Sequence, residues 1–131
     1  MNTIRTGIDL VEIHRLTDLN PSIRHRFLQR VFTPRELKEA GDSDVRLAAR
    51  FSAKEAVAKA LGCGIGPVSW QEIEICTGSL GEPVLHLHGK ALEIANSLRL
   101  EQWSISLTHS RDLAAAVAVA IGQFPPGNTQ L

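Results

Sequence analysis

Cysteine is scarce. The chain has two, Cys63 and Cys76, with no spaced set of Cys and His residues around them. That excludes a disulfide framework or a structural zinc site and leaves reduced thiols as the expected state. Tyrosine is missing altogether and aromatic residues make up 5% of the chain. So few stacking platforms argue against a module that binds single-stranded nucleic acid. Neither sign of charge is in excess, because 14 Lys and Arg balance 14 Asp and Glu. No global field therefore draws the chain toward nucleic acid or a membrane surface, and electrostatic recognition must come from local clusters. No segment approaches the roughly 20 apolar residues of a spanning helix. A basic stretch leading into an apolar one with a cleavage site is absent from the N-terminus, so no signal peptide is expected. Repeats and low-complexity segments are lacking too. These absences predict a cytoplasmic globular protein, with one domain over 1–123 and a tail over 124–131.

What is present is a change of pattern midway along the chain. Ile4, Ile8 and Leu10 alternate with Arg5, Gly7 and Asp9, predicting a strand that runs into a helix from about Val11. Asn20-Pro21-Ser22 interrupts, and a short helix is expected through Phe32. Thr33-Pro34-Arg35-Glu36 predicts a helix start with a capping box. Gly41-Asp42-Ser43 ends that helix, and a longer one is expected from Asp44 to Leu61, closed by Gly62. Strands are predicted over 70–77 and 83–88, a helix over 90–100, and strands over 103–109 and 113–121. Helices first and hairpins later define an α+β fold, a mainly antiparallel sheet with packed helices.

Several side chains in this frame have chemical potential. Asp9 lies near a strand end, where a carboxylate can serve a hard cation or simply cap the next helix. On the long helix, 100° per residue puts Glu55 between Phe51 and Ala48, beside Ser52 and Lys59, and puts Arg50 and Lys54 toward a polar face. Glu55 thus rises from small and apolar neighbours, where an unpaired carboxylate is costly. A cation or an i,i+4 pair with Lys59 would each relieve that cost. Gly62, Gly64 and Gly66 follow the helix C-terminus, the negative end of its dipole. A phosphate there needs cations, and Lys59, Lys54 and Arg50 are nearby in sequence. Ser104, Ser106 and Thr108 share one strand face, with His109 at the strand end. His86 and His88 share a hairpin face without a third ligand and read as surface residues.

Gly7-Ile8-Asp9-Leu10-Val11-Glu12-Ile13, followed by Arg50-Phe51-Ser52-Ala53-Lys54-Glu55-Ala56 and Lys59-Ala60-Leu61-Gly62, resembles the paired signature of the acyl carrier protein synthase family of 4′-phosphopantetheinyl transferases. The order, spacing and overall length agree, and the similarity covers all but about the last eight residues. The resemblance implies a pseudo-symmetric α+β fold, a homotrimer with active sites between neighbours, and transfer of phosphopantetheine from coenzyme A to an apo acyl carrier protein in fatty acid biosynthesis. It implies Mg2+ as cofactor, held by Asp9 and Glu55. Lys59 would contact the coenzyme A phosphates, aided by Arg50 and Lys54, and the loop of Gly62, Gly64 and Gly66 would border the nucleotide. His109 falls in the family's Ser-Ile-Ser-His-type strand end, where this chain departs by placing Leu107-Thr108 between Ser106 and His109. That leaves open whether Ser106 or Thr108 faces the ligand. Arg15, Arg26 and Arg30 look like the family's carrier-docking arginines, suited to an acidic partner. Glu55, Glu12 and an oriented water are the candidate bases, the water being preferred.

Overall fold

A computed structural model describes residues 2–123; the tail expected over 124–131 lies outside them. The elements run β1 (Asn2–Glu12), α1 (His14–Thr17), α2 (Pro21–Val31), α3 (Pro34–Ala40), α4 (Asp44–Leu61), a 3-10 turn (Trp70–Glu72), β2 (Ile73–Thr77), β3 (Pro83–Leu87), α5 (Gly89–Ser97), β4 (Leu100–His109) and β5 (Leu113–Gln123). Three strands form one antiparallel sheet in the order β1-β5-β4, and β2 pairs with β3 in a separate antiparallel hairpin. The α+β expectation holds.

Helix α4 lies across one face of the sheet, and the small residues there explain how closely. Ala114, Ala116, Ala118 and Ala120 of β5 are buried, as are Ala48, Ala49, Ala53, Ala56, Ala58 and Ala60 of α4. Gly7 takes the approach to its limit: a Cβ at that position would lie 1.8 Å from the Ala56 carbonyl oxygen. Only glycine lets β1 meet the helix backbone there. The larger residues of β1 point the other way. Ile4, Ile8 and Leu10 are 68%, 68% and 62% exposed, so the face that carries Arg5, Gly7 and Asp9 is the one that packs.

Local signals were met closely at α3. The Thr33 hydroxyl accepts from the Glu36 N–H at 3.2 Å, and the Glu36 carboxylate accepts from the Thr33 N–H at 2.8 Å. Elsewhere tertiary pairing overrode the local pattern. The helix expected from Val11 is strand as far as Glu12, because β1 stays paired with β5 up to Glu12 opposite Leu113. Only a single turn, α1, follows. The predicted 70–77 strand opens as a 3-10 turn, and α5 ends at Ser97 with Arg99 at φ 56°, turning the chain into β4 three residues early.

Candidate active site

Asp9 sits on the helix-facing side of β1, opposite Ala116 of β5. Three side chains of α4 gather beside it. Ser52 donates its hydroxyl to the Asp9 backbone oxygen at 2.9 Å. Lys59 donates to the Ile8 backbone oxygen at 2.9 Å and stands 3.4 Å from Asp9 Oδ1. Glu55, half-buried between them, has its carboxyl held above the ordinary value, first by burial, then by the charge of Asp9, with Lys59 opposing. The sequence-named trio of Asp9, Glu55 and Lys59 thus meets within one chain.

Two half-shielded carboxylates repelling each other are poorly compensated by one lysine, and a hard dication would resolve the conflict. No three His, Cys, Asp or Glu side chains converge as a metal-binding set among the described residues. Two carboxylates are present, and Mg2+ binds through one or two of them with waters and substrate phosphates as its other ligands. The residues fit the ion.

Other expected positions fare differently. Lys54, placed by periodicity on a polar face, is fully buried. Its ammonium donates to Glu36 Oε1 at 2.8 Å, the Trp70 oxygen at 3.0 Å and the Ile73 oxygen at 2.6 Å. With all three donors used inside the protein, it has none to offer a phosphate, and it leaves the set of coenzyme A contacts. Arg50 is also buried rather than on a polar face. It donates through Nη2 to Thr77 Oγ1 at 2.6 Å, and its Nε has no partner. It borders a cleft of about 510 Å³ that Glu39, Arg46, Thr77, Pro83 and Leu107 also line. Arg50 therefore opens on a side of α4 roughly 140° from Glu55.

Gly62 caps α4 in the left-handed conformation at φ 81°, and Gly64 and Gly66 also have positive φ, 67° and 133°. Arg5 underlies this loop and was missed from sequence. Its Nε donates to the Ala60 oxygen at 2.6 Å, and a Cβ at Gly62 would lie 2.5 Å from its Nη2. A cation on the Gly7–Asp9 face of β1 was the available signal, since helix C-termini favour positive charge. His109 is exposed at the end of β4, opposite Ala114, which in turn pairs with Val11. Ser106 and Thr108 lie on the opposite sheet face, where with Ile8 and Val117 they line an apolar hollow of about 210 Å³. Within one chain, neither serves the Asp9 side. Arg15, Arg26 and Arg30 are exposed on α1 and α2, whereas Arg24 is engaged by Asp44.

Residues 5–118 match the family profile described as the 4′-phosphopantetheinyl transferase superfamily. The chain belongs to this family. It is 44% identical over 124 residues to a holo-(acyl-carrier-protein) synthase of Herpetosiphon aurantiacus, covering 89% of this chain and 98% of that one. A holo-(acyl-carrier-protein) synthase of Moorella thermoacetica is 45% identical over 126 residues, covering 92% and 96%. Among solved structures, the Helicobacter pylori holo-(acyl-carrier-protein) synthase in complex with coenzyme A superposes with a TM-score of 0.79 at 31% identity, over 88% of this chain and 98% of that chain.

Proposed function

We propose that this protein transfers the 4′-phosphopantetheine group of coenzyme A to a serine of an apo acyl carrier protein, supporting fatty acid biosynthesis. The observation that carries the reading is the convergence of Asp9, Glu55 and Lys59 where β1 crosses α4. The serine oxygen forms a bond to the β-phosphorus of the pyrophosphate, the bond from that phosphorus to the bridging oxygen breaks, and 3′,5′-ADP leaves. Such transfer rests on positioning and on neutralising charge more than on covalent chemistry by the protein.

Asp9 and Glu55 would hold Mg2+, which when bound supplies Lewis-acid neutralisation of the pyrophosphate oxygens. Lys59 brings a mobile positive charge to the same phosphates. Its anchor on the Ile8 oxygen keeps it beside the carboxylates until a phosphate competes for it. Gly62, Gly64 and Gly66 border the nucleotide, with Arg5 beneath them adding positive charge, and His109 approaches from the end of β4. Arg50, which borders the cleft, is a further cation for a coenzyme A phosphate. The serine proton passes to a water oriented by the carboxylates.

The exposed face of Ile4, Ile8 and Leu10, continued by Val117 and Val119 of β5, supports assembly as a homotrimer. Packing that face against a neighbour would carry Ser106 and Thr108 toward the neighbour's site. Arg15, Arg26 and Arg30 offer the acidic carrier a basic surface next to the site. No helix among the described residues is long and apolar enough to cross a membrane, and the free thiols of Cys63 and Cys76 suit work in the cytoplasm. Incubating the protein with apo acyl carrier protein, coenzyme A and Mg2+ should add the mass of one phosphopantetheine to the carrier. Glu55→Ala should abolish most of that turnover while remaining folded. Wild-type turnover by this variant would refute the role given to the carboxylate pair.

A further inference from the structure

Ser52 is a fully buried polar side chain in the run of alanines where α4 meets β1 (Ala48, Ala49, Ala53 and Ala56 surround it in sequence). The other buried polar residues of that run, Arg50 and Lys54, are turned about 160° away from it around the helix. Alanine would fill the space and favour the helix more. A serine inside a helix ordinarily returns its hydroxyl to a carbonyl of its own preceding turn. Here Ser52 Oγ instead donates at 2.9 Å to the backbone oxygen of Asp9, across to the neighbouring strand. Glu55 lies three residues further along the same helix face, and Lys59, four residues beyond that, bonds the adjacent Ile8 oxygen at 2.9 Å. Between these two ties the contact is smooth: Gly7 has no side chain and faces the Ala56 carbonyl. Glycine against alanine packs closely but adds no projecting side chain at that point to resist sliding. The remaining tie, from Arg5 Nε to the Ala60 oxygen at 2.6 Å, lies a turn beyond it toward the end of α4. The Lys59 tie is half exposed and belongs to a side chain that the phosphates would recruit.

We infer that Ser52 is a positioning residue for the reaction. Its hydroxyl fixes where Asp9 stands along α4, and so holds the Asp9 and Glu55 carboxylates at the separation a shared divalent cation requires. The inference rests on the proposed magnesium-dependent transferase reading and adds to it a group that touches neither ion nor substrate.

The test uses the whole enzyme with saturating coenzyme A and Mn2+ as probe, free ion being counted by electron paramagnetic resonance. Ser52→Ala keeps the helix and the packing. It should weaken Mn2+ binding and lower kcat by about tenfold each, the scale of one hydrogen bond's loss. The melting temperature and the KM for coenzyme A should hold near wild-type values. Ser52→Cys, nearly isosteric and a weaker donor, should fall between the two. If Ser52→Ala binds Mn2+ and turns over like the wild type, the inference is wrong. It is equally wrong if the losses come only with a matching fall in melting temperature, which marks a purely structural serine. A wild-type enzyme that binds no Mn2+ would instead remove the magnesium reading on which the inference stands.

Discussion

Replacing Lys54 by methionine tests whether the interior of this fold is organised around an ion pair. The Lys54 ammonium and the Glu36 carboxylate are both completely excluded from solvent and lie 2.8 Å apart. Burial pushes the ammonium below its ordinary pKa, and the Glu36 charge opposes that shift. The pair joins three segments, because Glu36 also accepts from the Thr33 and Ile75 N–H groups at 2.8 Å each, and Lys54 reaches the Trp70 and Ile73 oxygens. All three Lys54 donors are used, and both Glu36 oxygens accept. Lys54→Met keeps the aliphatic volume but strands a carboxylate in the core and removes a donor from the Trp70 and Ile73 carbonyls, of which Trp70 still accepts from the Ile73 N–H. Losing one partner of a buried pair costs about 3–5 kcal/mol, a large share of a typical stability of about 5–15 kcal/mol. Urea denaturation followed by tryptophan fluorescence, at one fixed protein concentration, measures it. The double variant Glu36→Gln/Lys54→Met removes the stranded charge as well and should recover about 1–2 kcal/mol of the loss. A single variant within about 1 kcal/mol of wild type, or a double variant less stable than the single, would refute this account of the pair.

Four further outcomes follow from the same geometry. The Glu55 carboxyl binds its proton more tightly in the folded state than in the unfolded one, so the stability it contributes is present below its ordinary value of 4.5 and is lost as pH rises through the raised one. In calorimetry without metal at neutral pH, Glu55→Gln should therefore be more stable than wild type, by less than about 1 kcal/mol because the group is half exposed, and Mg2+ should no longer raise its melting temperature. Gly7→Ala would drive a methyl into the Ala56 carbonyl, backbone against backbone, costing about 3 kcal/mol; equilibrium unfolding should show that loss and activity should vanish with it. Ile8→Asp puts a charge on the exposed apolar sheet face, and if that face builds the proposed trimer, sedimentation should show trimers for the wild type and single chains for the variant. Charge reversal at Arg26 and Arg30 should raise the KM for carrier and flatten its dependence on salt, while the KM for coenzyme A stays unchanged.

Features written in neighbouring residues were legible in the sequence. The Thr33–Glu36 capping box and the Gly62 cap depend on residues at most a turn apart, and they appear where expected. The end of β1 was not legible, because Leu10 to Glu12 are held extended by β5, over a hundred residues away in the chain. Lys54 could not be placed by helical period alone: its partner Glu36 belongs to α3 and its carbonyl acceptors to the segment before β2. Which face of β1 packs was hidden for a different reason. The alternation of Ile4, Ile8 and Leu10 marks an apolar surface, but its cover is not within the described residues of one chain. Asp9, Glu55 and Lys59 could be singled out by type and spacing, whereas Ser52 and Arg5, which act on backbone oxygens of another element, could not.

The burial of α4 shows why the site lies where it does. From Leu47 to Leu61 every residue is buried except Phe51, Glu55 and Lys59. These recur at intervals of four and so form a single open stripe on a helix packed on its other sides. At the N-terminal end of the stripe Phe51 stacks on Trp70 with centroids 4.9 Å apart, and meets Phe27 of α2 at 5.6 Å. Phe27 belongs to the helix that carries Arg26 and Arg30. At the other end Lys59 leads to the Gly62 cap and Arg5. The stripe therefore runs from the proposed carrier surface, past the carboxylate pair, to the proposed nucleotide loop, a distance along the helix of roughly 17 Å. A helix so rich in alanine gains little from amphipathic patterning, because sheet, hairpin and helices enclose it. Its one unpacked line is where a carrier serine and a pyrophosphate could meet without disturbing the core.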